Sequence, residues 1–360
     1  MSELEQNKKH ILAVLSGKGG SGKTMIAACL ADVMAENSAL PVLLIDADFG
    51  TAGLTYYFGV KYVENSGLGI SSILTKNSES SEKFNVNLNS PVIQAVRDIP
   101  MLKLLSAGEP RQLERLEREG RKIGPSVARL IGELAQLDCH IVVDCRGGVD
   151  PDSIAICSAA DDVILVTEPD ITAFQATRNV VDVLSDTELS GKLRGFILNK
   201  VFQNPEYIRI RGTAEFRCRH LGSIPYDLDA ARSFFIGDIP SRRSTMFVQV
   251  ENICYELYRD IMPSKPYRVW SDSDFDKVSS IDIEARRGGY FVALTLGLFL
   301  ISYIIVYRTA TSSLTYRTET LIYFAAAMTI GILGTLSSVR RTLGRVISAY
   351  INLLQPRRKR

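Results

Sequence analysis

Nine consecutive residues, Ser16-Gly17-Lys18-Gly19-Gly20-Ser21-Gly22-Lys23-Thr24, carry the side chains best suited to chemistry in this chain. They satisfy G-x-x-x-x-G-K-[ST] and hold a second lysine, Lys18, inside the loop. Glycines at these places let backbone N–H groups close around phosphate oxygens with no Cβ in the way. Lys23 would reach the β/γ-phosphates of a nucleotide, and the Thr24 hydroxyl would sit on Mg²⁺. The flanks suit this reading. His10 to Leu15 is an apolar run that reads as a buried strand, and Met25 to Met34 reads as the following helix, its positive N-terminus facing the phosphates. ATP and Mg²⁺ are therefore the expected ligands, with Gly17, Lys18, Gly19, Gly20, Ser21, Gly22, Lys23, Thr24 and Met25 as the cradle.

The elements that must position this loop are legible downstream. Leu40 to Ile45 ends at Asp46-Ala47-Asp48, and Cys139 to Val143 ends at Asp144. Asp162 to Thr167 and Gly195 to Asn199 are two more apolar runs. Continuous apolar strands separated by helical stretches predict a doubly wound, mostly parallel α/β sheet covered on both faces. Ligands of such sheets bind at the carboxyl ends of the strands. The glycine loop, Asp46/Asp48, Asp144 and Asn199 all fall there. Asp144 is expected to bind Mg²⁺ through water, and Asp48 to orient the attacking water or lie near the metal. Asp46 points to the opposite side from its neighbours if the strand continues, which leaves a structural role open for one of the pair.

A chain of 360 residues holds one large domain and something smaller. The net charge of +2 averages over unlike segments and excludes little. Six cysteines show no paired or zinc-type spacing, so reduced thiols are expected. Met1 to Lys9 is polar and no signal peptide is expected there; since ATP is a cytosolic ligand, the nucleotide domain is expected in the cytosol. The C-terminus is different material. Residues 288–307 and 320–339 are uncharged runs of a length that crosses a bilayer as helix. Arg286 and Arg287 precede the first; Arg340, Arg341 and Arg345 follow the second. Positive-inside bias then puts both termini in the cytoplasm. The expected organisation is an ATPase domain at 1–262, a linker at 263–287, a transmembrane hairpin at 288–339 and a basic tail at 340–360.

Three surface segments carry weaker signals. Residues 76–90 are rich in Ser, Asn, Lys and Glu and read as a mobile surface loop. Residues 109–122 mix Glu and Arg as a solvated helix face does. Arg209, Arg211, Arg217 and Arg219, with Arg242 and Arg243, form a basic set for which a solvated surface is expected ahead of DNA or an acidic partner.

On these residues the chain resembles the MinD/ParA family of deviant P-loop ATPases, over about residues 8 to 260. Lys18 matches that family's signature lysine. Asp46-Ala47-Asp48-Phe49-Gly50 resembles its first switch and Asp144-Cys145-Arg146-Gly147-Gly148 its second. Thr167-Glu168-Pro169 and Leu221 to Asp227 are looser landmarks. The resemblance implies two ATP-bound protomers pairing face to face, Lys18 of each reaching the other's phosphates. Lys23 and Asp48 would share the catalytic work, and Asn199, Pro225 and Asp227 would contact adenine. It implies a homodimer, slow turnover and a stimulating protein partner of the membrane or cytosol. Two departures stand out: Arg146 replaces the usual small residue after the second-switch aspartate, and the hairpin replaces a reversible amphipathic anchor. The expected function is an ATPase anchored in the bacterial inner membrane, acting as an ATP-dependent dimerisation switch that recruits or regulates a membrane or envelope machine. A bacterial-type protein-tyrosine kinase, a ParA-like DNA-binding ATPase and an ATP-gated membrane effector are the alternatives.

Overall fold

A computed structural model describes residues 8–60, 67–76, 83–96, 99–202 and 205–262. All of them belong to the first of two units into which the chain divides, 1–276. The proposed linker, hairpin and tail from 263 onward lie outside the described residues. Among the described residues no helix is long and apolar enough to cross a membrane.

Among the described residues, eight strands form one sheet: β1 (Ile11–Ser16), β2 (Val42–Ala47), β3 (Gln94–Ala95), β4 (Leu102–Leu105), β5 (His140–Cys145), β6 (Asp162–Thr167), β7 (Leu193–Val201) and β8 (His220–Pro225). Their order is β3-β4-β2-β5-β1-β6-β7-β8. Every pairing is parallel except that of the short edge strand β3 with β4. The mostly parallel α/β architecture read from the apolar runs is thus observed. In β1 all six residues are buried, as both-face coverage demands. Alternation divides them: Ile11, Ala13 and Leu15 enter one core, Leu12 and Val14 the other.

One core is closed by α1 (Lys23–Asn37), α2 (Gly53–Tyr57) and α10 (Thr245–Leu257), the other by α3 (Gly69–Lys76), α4 (Pro110–Arg118), α5 (Ile123–Leu134), α6 (Pro151–Ala159), α7 (Ile171–Asp186) and α8 (Glu206–Phe216). A further helix, α9 (Leu228–Ile236), follows β8. The helix expected from Met25 starts at Lys23 and is buried through Ala35 apart from Thr24. It lies between the sheet and α10, so it has no solvent face to make polar. All six cysteines are free thiols.

One surface reading needs revision. Within 76–90, residues 77–82 lie outside the described set, but Phe84 is buried, its N–H donating to Glu133 at 2.8 Å and its ring under the Arg129 guanidinium at 4.5 Å. A polar composition hid one core residue. The arginine set lies at the surface, as expected, in two separate places. Arg242 pairs with Asp32 and Glu36 against α1, whereas Arg211 pairs with Glu215 on its own helix.

At the amino-end edge of the sheet, His140 is buried. Its Nδ1 accepts from the His10 N–H at 3.3 Å, which leaves Nε2 to donate to the Ser38 hydroxyl at 2.7 Å. That arrangement needs a neutral ring. Burial, helped by His10, pushes its pKa down to about 4. Stability from this group is full above about pH 6.5 and is lost as pH falls through about 4, because the unfolded chain binds the proton first. The loss should reach about 3 kcal/mol. Urea unfolding between pH 7 and 4 should show a shallower pH slope in His140→Asn than in the wild type; equal slopes would exclude His140 as the acid-sensitive group.

Candidate nucleotide-binding site

The residues from Gly17 to Gly22 turn back over the carboxyl end of β1. Gly20 and Gly22 have φ of +83° and +86°, a region that glycine enters without strain. At Gly22 a Cβ would also strike the Asn199 amide, and at Gly17 it would strike the backbone of α7 at Ala176–Thr177. Asn199 Nδ2 donates to the Ser21 carbonyl at 2.7 Å, fastening the loop to the end of β7. The loop forms one wall of a cleft of about 520 Å³ at the carboxyl ends of the strands. Gly19 through Met25, Asp48, Asn199, Pro225 and Asp227 all line it. Of the other expected residues, Gly17 lies behind the loop on α7, Asp144 lies beneath Lys23, and Lys18 reaches sideways.

The two lysines have different environments. Lys23 Nζ meets Asp144 Oδ1 at 2.5 Å, with side chains 7% and 0% exposed. Burial opposes its charge, but Asp144 more than compensates and raises the Lys23 pKa, so the ammonium is retained. Burial pushes the Asp144 carboxyl up while Lys23 pulls it back. Lys18 is 33% exposed and contacts Asp170 at 2.8 Å, Thr172 Oγ1 at 3.4 Å and Glu168 at 3.5 Å. Asp170 is the leading cause of its raised pKa.

The aspartates at the end of β2 divide their labour. Asp46 is fully buried and accepts from Thr55 N and Oγ1 at 2.8 and 2.6 Å and from Asp48 N at 3.1 Å. Burial, then Asp144 on the paired strand, lifts its pKa to about 7. Asp46 is the structural member. Asp48 faces the cleft, its carboxylate held by Thr51 N at 3.2 Å and Thr51 Oγ1 at 2.8 Å.

Asp227 also holds structure. It caps α9 by accepting from Asp229 and Ala230 N–H groups and takes the Met246 N–H at 2.9 Å. That fixes Pro225, Tyr226 and α9 as the far wall, where Ala230 and Phe234 join the lining. Sequence reasoning missed these, and it missed Lys200, which bridges Glu168 at 2.7 Å and the Gly20 carbonyl. Lys200 neighbours Asn199, but only the fold brings it over the loop.

Among the described residues, three buried polar atoms of the site have no hydrogen-bond partner: Ser21 Oγ, Asp144 Oδ2 and Asn199 Oδ1. Such atoms are costly unless a ligand, ion or water completes them. Thr24, Asp48 and Asp144 offer hard oxygens, the donors Mg²⁺ takes. Among the described residues no three acidic, histidine or cysteine side chains cluster to hold a metal unaided. Mg²⁺ is usually bound by one or two side chains, with phosphate and water completing the sphere. The donor set fits a magnesium nucleotide.

Comparison with known proteins agrees with this geometry. The family model of the CobQ/CobB/MinD/ParA nucleotide binding domain matches residues 12–238. The septum site-determining protein MinD of Synechocystis is 26% identical over 200 residues, 56% of this chain and 67% of the relative. That of Escherichia coli K12 is 26% identical over 176 residues, 49% of this chain and 58% of the relative. The chain thus spans roughly three fifths to two thirds of these relatives' lengths. In fold it is similar to MinD of Pyrococcus horikoshii, solved with Mg-ADP, at TM-score 0.56 and 21% identity, covering 69% of this chain and 96% of that one.

Proposed function

We infer, for a chain that belongs to the CobQ/CobB/MinD/ParA nucleotide-binding family, an ATPase whose nucleotide state controls pairing of two copies at a membrane. One observation carries this reading: the loop's two lysines are separated by environment. Lys23 is committed inside the protomer, whereas Lys18 is one-third exposed and held only by side chains at the rim. A charged group at the rim can be transferred to a facing copy. Lys23 would then bind the β/γ-phosphates, and Thr24, Asp144 and Asp48 would surround Mg²⁺, with Asp48 orienting water. Asn199, Pro225 and Asp227 would frame the adenine. Lys18 of the facing copy would offset charge as the γ-phosphate leaves. A ligand that binds the paired state better than the free state shifts the population toward pairs.

Membrane attachment rests on the sequence. Two uncharged runs, 288–307 and 320–339, with flanking arginines support a hairpin whose termini both face the cytoplasm of a bacterial cell. A spanning hairpin, unlike an amphipathic helix, does not release. ATP would therefore change pairing and capture of a protein partner within the membrane plane. The test is the full-length protein in lipid bilayers, followed by single-particle mass with Mg-ATP and Mg-ADP. Pairs in ATP and single copies in ADP, both resistant to alkaline extraction, are expected. Single copies in both nucleotides would reject the switch; release at alkaline pH would reject the hairpin.

A further inference from the structure

The second-switch loop after β5 is pinned to the phosphate loop, and this fixes where Arg146 begins. Gly148 has φ of +97° and its N–H donates to the Ser16 carbonyl at 2.8 Å. A Cβ on Gly147 would stand only 3.0 Å from the Lys18 carbonyl. From that anchored base the Arg146 side chain crosses to the turn after β2. A Cβ on Gly50 would lie 3.2 Å from Arg146 Cζ, 3.2 Å from Nη2 and 3.3 Å from Nε. Three nearly equal distances mean that the flat face of the guanidinium rests on Gly50. The side chain is exposed and, among the described residues, donates no hydrogen bond and enters no ion pair.

The turn beneath it is the one that carries Asp48. Ala52 N–H donates to the Asp48 carbonyl at 2.7 Å, and Thr51 ties the Asp48 carboxylate as described. On the turn's inner side, a Cβ on Gly53 would be 3.8 Å from the Thr24 hydroxyl. The turn thus lies between the Thr24 hydroxyl and the Arg146 guanidinium. A Cβ at 50 would crowd the guanidinium at 3.2–3.3 Å, so glycine lets it lie close, and the planar guanidinium has a flat face to lay there.

We propose that Arg146 is a positioning residue: its guanidinium clasps the turn 48–52 and couples the two loops that border the phosphate end of the cleft. A displacement of either loop is thereby passed to the other, a coupling through two packed, discrete elements. Arg146 acts on Asp48 through the turn and is not among the residues lining the cleft. The functional part rests on the ATPase reading above; the clasp itself does not.

The experiment compares wild type, Arg146→Ala, Arg146→Lys and Gly50→Val, whose side chain would take the guanidinium's place. Hydrogen exchange of amides 49–52 is read with and without Mg-ATP, and turnover is read in parallel. Arg146→Ala should speed exchange of these amides about tenfold and lower kcat by a similar factor, with nucleotide affinity changed by less than about threefold. Gly50→Val should do the same, and the double variant should be no worse than either single one. Arg146→Lys should fail to restore exchange, because an ammonium has no face to lay on the glycine. Unchanged exchange in Arg146→Ala, or effects of the two single variants that multiply, would overturn the clasp. Wild-type protein without turnover would overturn the ATPase reading instead, and the exchange data would still decide the clasp.

Discussion

Lys23→Met should abolish nucleotide binding and also destabilise the nucleotide-free protein by about 3–5 kcal/mol, the usual cost of removing one partner of a buried ion pair. The reason is the carboxylate left behind. Asp144 has no exposed surface, and among the described residues the only cation bonded to it is Lys23 at 2.5 Å. Across the sheet its register partner is Asp46, another buried carboxyl. Burial already holds the Asp144 pKa above its ordinary value; without Lys23 it rises further, and Asp144 must be protonated on folding. A carboxyl raised in this way contributes stability at low pH that is lost as pH rises through the new pKa. The deficit of Lys23→Met should therefore be small at pH 5 and full at pH 8. Lys23→Met with Asp144→Leu removes both charges and should recover most of the stability without recovering binding. Urea denaturation and a fluorescent ATP analogue measure the two losses separately. Affinity should fall at least about 100-fold, some 2.7 kcal/mol. A single variant as stable as wild type at pH 8 would mean that the pair does not exist in solution.

The glycine loop's place at the carboxyl end of β1 was legible because its residue types suit one local geometry: glycines for close approach, a lysine, a hydroxyl, then a helix. The strands were legible because two-faced burial leaves unbroken apolar runs such as Leu12 to Leu15. Strand order was not. β5 inserts between β1 and β2, and its partners lie about a hundred residues away in the chain. Pairing across such distances is set by tertiary packing that no local window contains. Asp46 and Asp48 show the same limit on a smaller scale. Alternation left one of them structural, but Thr55, which decides the matter by binding Asp46 twice, lies on α2. The partners of Lys18 are likewise about 150 residues distant. Its motif announced a special lysine; only the fold shows what restrains it.

That restraint sets the second large effect. Lys18→Ala should eliminate ATP-driven pairing and lower turnover about 100-fold, as loss of a charge-stabilising group does. Asp170→Asn should do the opposite. In the free protomer Lys18 is held by Asp170 Oδ2 at 2.8 Å, and it must leave that contact to act across a pair. Burial raises the Asp170 pKa, but hydrogen bonds from Lys18, Thr172 and the Ala173 N–H hold it well below the usual carboxylate range. Both side chains are about a third or more exposed, so the contact is worth at most about 1 kcal/mol. Asparagine keeps the cap on α7, where Oδ1 accepts from Ala173 N–H at 2.8 Å, and removes only the charge. Releasing Lys18 should then tighten pairing in ATP by up to about fivefold and leave the ADP state unpaired. Sedimentation equilibrium of detergent-solubilised protein in each nucleotide reads both quantities. If Asp170→Asn instead weakens pairing, Asp170 is part of the interface and Lys18 works from where it stands. If Lys18→Ala pairs normally, the lysine has no role across the pair, and its contacts with Asp170 and Glu168 serve its own loop alone.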